Sequence, residues 1–124
     1  MAGLHDDILD AALTELDDAT VIHICSGAPT AGALSSTTAV SLGNKSFGAG
    51  GCFGAPANGG TSGRKVASTA ITDGSVTDTG TATHWAAVDG TRTLAWGTLS
   101  ASQAVTSGNT FTLASFDVTF PDPA

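Results

Sequence analysis

The chain has 124 residues, of which Ala, Gly, Ser and Thr make up 68 and Leu, Ile, Val and Phe only 25, and its formal net charge is −7. That length fits one domain, and its four cations, Lys45, Arg64, Lys65 and Arg92, are too few to neutralise the phosphates that a basic nucleic-acid binder contacts. Charged residues are too sparse, at 12%, for a charged disordered tail, so the expectation is a small Thr-rich domain with thin layers, a modest core and support from outside.

The N-terminus lacks the basic start and the apolar run of roughly 7–15 residues that a secretory signal needs. No run approaches the roughly 18 apolar residues of a membrane span, so a soluble chain made in the cytosol is expected. Residues 4–18 predict an amphipathic helix. Leu4, Ile8, Leu9, Ala11, Ala12, Leu13 and Leu16 fall on one half of the wheel, and Asp6, Asp7, Asp10, Asp17 and Asp18 on the other. With Glu15 these are six of the eleven acids, so nearly all the net charge belongs to this element. Its apolar face covers a sheet while its acids meet water, or its acids dock on a basic partner. Residues 20–25 (Thr-Val-Ile-His-Ile-Cys) predict a strand with Ile22 and Ile24 on one face and Val21, His23 and Cys25 on the other.

Residues 26–63 hold ten of the sixteen glycines and one charge, Lys45. Apart from a short strand at Val40-Ser41-Leu42, the composition predicts an extended Gly-rich arm, ordered against neighbouring chains. Residues 64–71 predict a strand closed by a turn at Thr72-Asp73-Gly74, and residues 80–88 and 91–99 a hairpin. Asp89-Gly90 suits a two-residue type I′ turn, which would pair Trp85 with Leu94 and Thr83 with Trp96 and make both tryptophans core anchors or, in the other reading, an aromatic interface patch. Residues 102–106 predict a short strand, 107–109 a turn and 110–120 an alternating strand, while the tail at 121–124 is extended because its prolines cannot pair in a sheet interior. Strands at this spacing without crossover helices predict a mainly β fold: an antiparallel β-sandwich or jelly-roll-like barrel, with one N-terminal helix and the Gly-rich arm.

Catalytic chemistry finds little support. No Ser or Cys sits in a nucleophile elbow. His23, Cys25, Cys52 and His84 match no zinc-ligand spacing, and the glycines are not followed by the Lys of a phosphate loop. Asp73 and Asp78 are accounted for by turn chemistry rather than calcium. The two cysteines read as free thiols of a reducing compartment. No catalytic, cofactor-binding or metal-ligating residue is therefore expected, and the chain reads as a non-enzyme.

Several segments together resemble a known group: Asp6-Asp7-Ile8-Leu9-Asp10-Ala11-Ala12-Leu13, His23-Ile24-Cys25-Ser26, Ser41-Leu42-Gly43-Asn44-Lys45, Ser62-Gly63-Arg64-Lys65, Ile71-Thr72-Asp73-Gly74-Ser75-Val76, Gly80-Thr81-Ala82-Thr83-His84-Trp85 and the run from Leu99 through Leu113. In these the chain resembles small virion structural proteins of tailed bacteriophages and prophages. The resemblance implies a particle component, localised to the virion and without catalytic residues to carry over. The leading expectation is a capsid decoration or cementing protein bound to the head shell in many copies; a tail, neck or fibre component is the alternative, and a carbohydrate-binding attachment module a reading of another class. Expected partners are capsid or other virion proteins and further copies of the chain in a homo-oligomer, with no nucleic acid and no membrane. The candidate interface residues are Asp6, Asp10, Asp17, Lys45, Phe47, Phe53 and Phe120.

Overall fold

The computed structural model describes residues 5–30, 32–48, 50–59 and 63–120. It is mainly β, with a curled antiparallel sheet of six strands, a second small sheet and an N-terminal helix. Helix α1 spans Asp6–Thr14 and continues as a 3-10 turn over Glu15–Asp18. His5 caps it, its Nδ1 accepting from the Asp7 amide at 3.1 Å. Leu9, Leu13 and Leu16 are buried, whereas Ile8, expected on the same face, is 58% exposed. Leu4 and the tail at 121–124 lie outside the described residues.

The strands are β1 (Val21–Cys25), β2 (Ser41–Ser46), β3 (Ala57–Asn58), β4 (Arg64–Ala67), β5 (Ile71–Val76), β6 (Gly80–Val88), β7 (Thr93–Val105), β8 (Thr110–Leu113) and β9 (Asp117–Phe120). The large sheet has the order β7-β6-β1-β2-β5-β8 and the small one β3-β4-β9, and every pairing is antiparallel. β1 is central because its β-branched run is buried on both faces. Ile22 and Ile24 join the main core, and His23 and Cys25 are buried behind them. Around the isoleucines pack Leu13, Leu16, Phe53, Val66, Ile71, Trp85 and Phe111.

Residues 26–63 do not form the expected extended arm. They supply a short helix α2 (Leu34–Thr38), strand β2 between β1 and β5, the buried Cys52 and Phe53, and the edge strand β3. The reason is backbone satisfaction: β1 lies mid-sheet and needs a second neighbour for its amides and carbonyls, and small side chains let β2 fit between two strands. Thr37 of α2 is fully buried, and its hydroxyl meets that of Thr93 at 2.6 Å, tying α2 to the start of β7.

Two turns also differ from expectation. Thr72-Asp73-Gly74 lies inside β5, where an irregularity separates the Ile71–Leu113 and Gly74–Phe111 pairs. Gly74 is required because a Cβ there would overlap the Phe111 ring. At Asp89-Gly90 the loop is longer than two residues: Val88 pairs with Thr93, Ala86 with Trp96 and Trp85 with Gly97. A type I′ turn needs positive φ at both central residues, and among the described residues only glycines have it. Instead the Asp89 carboxylate caps the loop, accepting from the amides of Thr91 and Arg92 at 2.9 Å and from Arg92 Nε at 2.9 Å. These bonds, the Arg92 side chain first, hold the Asp89 carboxyl well below the usual carboxylate range. The shifted register sends the two tryptophans to opposite faces. Trp85 is a core anchor, 7% exposed, and Trp96 points outward, 43% exposed. Finally, residues 110–120 are two strands in two different sheets, β8 and β9.

Candidate functional site

The chain from β7 to β8 makes a tight turn at 106–109, with the Asn109 amide donating to Thr106 O at 3.1 Å. Strands joined this way ordinarily pair with each other. Here they splay: β7 pairs with β6 and β8 with β5, the opposite ends of the sheet order. The turn is held by the β5 side instead. The Gly108 amide donates to Val76 O at 3.0 Å, the Ser107 amide to Thr79 Oγ1 at 3.0 Å and Ser107 Oγ to Thr77 O at 3.0 Å.

The curl of the sheet leaves the two edge strands facing each other across a slot. Near the apex Gln103 Nε2 donates to Thr112 O at 3.0 Å, a side chain standing where a regular hairpin would place a backbone bond. Beyond this bridge the slot opens to a volume of about 460 Å³, with Trp85, Leu99, Leu113 and Phe116 among its apolar lining. The Trp85 and Phe116 rings lie 4.2 Å apart at 32°, and Phe116 meets Phe53 edge-on at 6.2 Å. Gly97 lets the Trp85 indole lie across β7, since a Cβ there would sit 2.9 Å from Nε1.

One wall of the slot is a wide bulge. His84 pairs with Thr98 and Ala82 with Gln103, so residues 99–102 have no partners of their own on β6. The other wall, at 114–116, is pinned. Ser68 donates its amide to Phe116 O at 2.7 Å, its Oγ accepts from the Phe116 amide at 2.9 Å, and Ser115 Oγ donates to Ser68 O at 2.7 Å. Asp117 is the one charged residue in the lining, and it is paired with Lys65 at 3.0 Å. The arrangement offers unpaired main chain above an aromatic floor, with no charge to spare.

The expected interface residues are not gathered there. Asp10 binds Arg64 through both carboxylate oxygens, at 2.7 and 3.1 Å, and Asp6 lies 3.9 Å from the same guanidinium. Asp17 accepts the Gly50 amide at its carbonyl, at 2.9 Å, and Lys45 pairs with Asp73 at 3.0 Å. Phe53 is buried and Phe47 packs partly buried against the core, so a deletion of residues 46–60 would remove core rather than a free arm. Phe120, 43% exposed on β9, remains on the surface. The slot residues Leu99, Gln103, Thr112, Ser115 and Phe116 had no local sequence signal, because the alternation of 110–120 continues without Gly or Pro through the switch of sheets.

The other chemical candidates lie elsewhere. His23 Nδ1 is 2.8 Å from Ser41 Oγ, and the same hydroxyl lies 3.2 Å from Gly43 O. Burial lowers the His23 pKa, and it pushes both Cys25 and Cys52 up to about 11, so these free thiols stay protonated. Among the described residues no group of three or more His, Cys, Asp or Glu could hold a metal ion, and no helix is long and apolar enough to cross a membrane. Comparisons with protein-family models, curated proteins and solved structures found no match.

Proposed function

We propose that this chain is a non-enzymatic virion structural protein of a tailed phage, a decoration or cementing protein that binds the head shell in many copies. Its partners are then shell subunits and neighbouring copies of itself, and its location is the virion. One observation carries the reading: β7 is the end strand of the large sheet, and its outer, uncharged edge around residues 99–101 lines the slot beside an aromatic floor, the kind of surface that joins protein chains by strand addition. The sequence resemblance to small virion proteins points the same way. Many weak contacts engaged at once make a stable coat without any single strong one.

Sedimentation tests the proposal. Purified protein mixed with heads assembled without it is expected to co-sediment with them, and protein left in the supernatant overturns the reading. Copy number separates the shell from the tail axis: hundreds per particle are expected, whereas a count of about three to twelve, the order of a cyclic ring, would move the protein to tail, neck or fibre.

A further inference from the structure

The slot has the dimensions, charge and main-chain chemistry of a missing strand. In a sheet one residue occupies roughly 3.3 Å of rise, 4.8 Å of strand spacing and 10 Å of depth, about 160 Å³. A volume of about 460 Å³ therefore holds about three residues of extended chain. From Thr93 through Phe116 the sequence has neither a charged residue nor a proline, the usual devices that keep an edge strand from pairing with another chain. The carboxylate of Asp117 is occupied by Lys65, so an incoming charged side chain would lose water and gain no counter-ion. An acidic segment would also meet a chain whose formal charge is −7. The Gln103 bridge ties the walls together at one end, and Ser68 fixes the 114–116 link from behind.

We propose that the slot accepts an extended, uncharged segment of a shell subunit, which pairs by its main chain with the free edge around residues 99–102 and sets one apolar side chain over Trp85 and Phe116. The assignment of the segment to a shell subunit rests on the function proposed above.

The experiment uses the full chain and two arms. In the first, isotope-labelled protein is titrated with a capped peptide of alternating threonine and valine, acetyl-Thr-Val-Thr-Val-Thr-amide. Amide shifts are expected at residues 98–103 and 112–117. Binding should weaken by about tenfold when the first valine is replaced by glutamate, and likewise when it is replaced by proline, which lacks the main-chain donor. No shifts, shifts elsewhere, or equal binding of all three peptides overturns the slot's role. In the second arm, Ala101→Trp and Ala114→Trp, each at an exposed position in the slot lining, are mixed with heads. Each is expected to reduce co-sedimentation by about tenfold while the unfolding midpoint is retained. If the unaltered protein and both variants sediment equally, the inference fails and the shell-binding function stands. If the unaltered protein does not sediment, the shell function and the shell source of the segment both fall, and the peptide arm alone decides whether the slot takes an uncharged strand.

Discussion

Along β1, each residue from Val21 to Cys25 stands opposite one residue of β2 and one of β6, and Ile22, Ile24 and Cys25 are almost wholly removed from water. Residues 99–102 of β7, in the same sheet, have no registered partner on β6, and their other side faces the slot. Both stretches are strand, but one is fully paired and the other is open. The contrast shows that this small domain concentrates its cohesion in β1 and its two neighbours. With that centre complete, the seam between β7 and β8 does not have to close for the sheet to hold.

Four measurements break or sharpen that contrast. The largest effect belongs to the centre: Ile24→Ala is expected to cost about 3–4 kcal/mol in denaturant unfolding, since it empties a fully buried site. A loss below about 1 kcal/mol would mean that β1 is not the keystone. Thr37→Val removes one partner of a buried hydroxyl pair and should cost about 1–2 kcal/mol, because the Thr93 hydroxyl keeps only its longer bond to Ala33 O at 3.2 Å. Acidification should act next. Burial depresses the His23 pKa, so the contribution of its neutral ring is complete above pH 6.5 and is lost as pH falls below that value toward the lowered folded one. The unfolding midpoint should therefore be level above pH 6.5 and decline beneath it, and His23→Gln should flatten the decline. The depressed Asp89 carboxyl extends the loss below pH 3.8, where the unfolded chain takes up its proton first. The smallest effect is expected at the seam: Ala101→Trp should change stability by less than about 0.5 kcal/mol, and a larger loss would show that the open strand carries structural load after all.

The sequence announces an element where the chemistry is local. The apolar spacing of Leu9, Leu13 and Leu16 marks the helix, the β-branched run around Ile22 marks β1, and Ser107-Gly108-Asn109 marks a turn. Elements decided by distant partners stay hidden. β2 has a single large apolar residue, Leu42, because its place is set by the two strands it lies between. The Asp89 loop could be read as a turn, but its length depended on the side chain of Arg92 and on room beside Gly97 for the Trp85 indole. The slot was illegible for a related reason. It arises when β8 and β9 enter different sheets, and that separation is enforced by Ser68, almost fifty residues earlier in the chain. The acids Asp6, Asp7, Asp10, Glu15, Asp17 and Asp18 all lie on α1 and its 3-10 continuation, as their spacing predicts. Arg64 and Arg92 bind this element from within the molecule, so a good part of the charge offered to a partner is already engaged.

Strand direction has a consequence for how such a molecule would join others. Six strands with every neighbour antiparallel leave β7 and β8 running in opposite senses. Those two could zip together directly, but a seventh strand placed between them must run parallel to one of them, since an odd number cannot alternate around a closed ring. Phe116 has both of its main-chain groups committed to Ser68, so the wall formed by the link has less to offer a newcomer than the bulged wall of β7. The geometry thus distinguishes the two ends of an inserted chain. One orientation is antiparallel to β7 and the other antiparallel to β8, so the two orientations of an inserted chain are not equivalent.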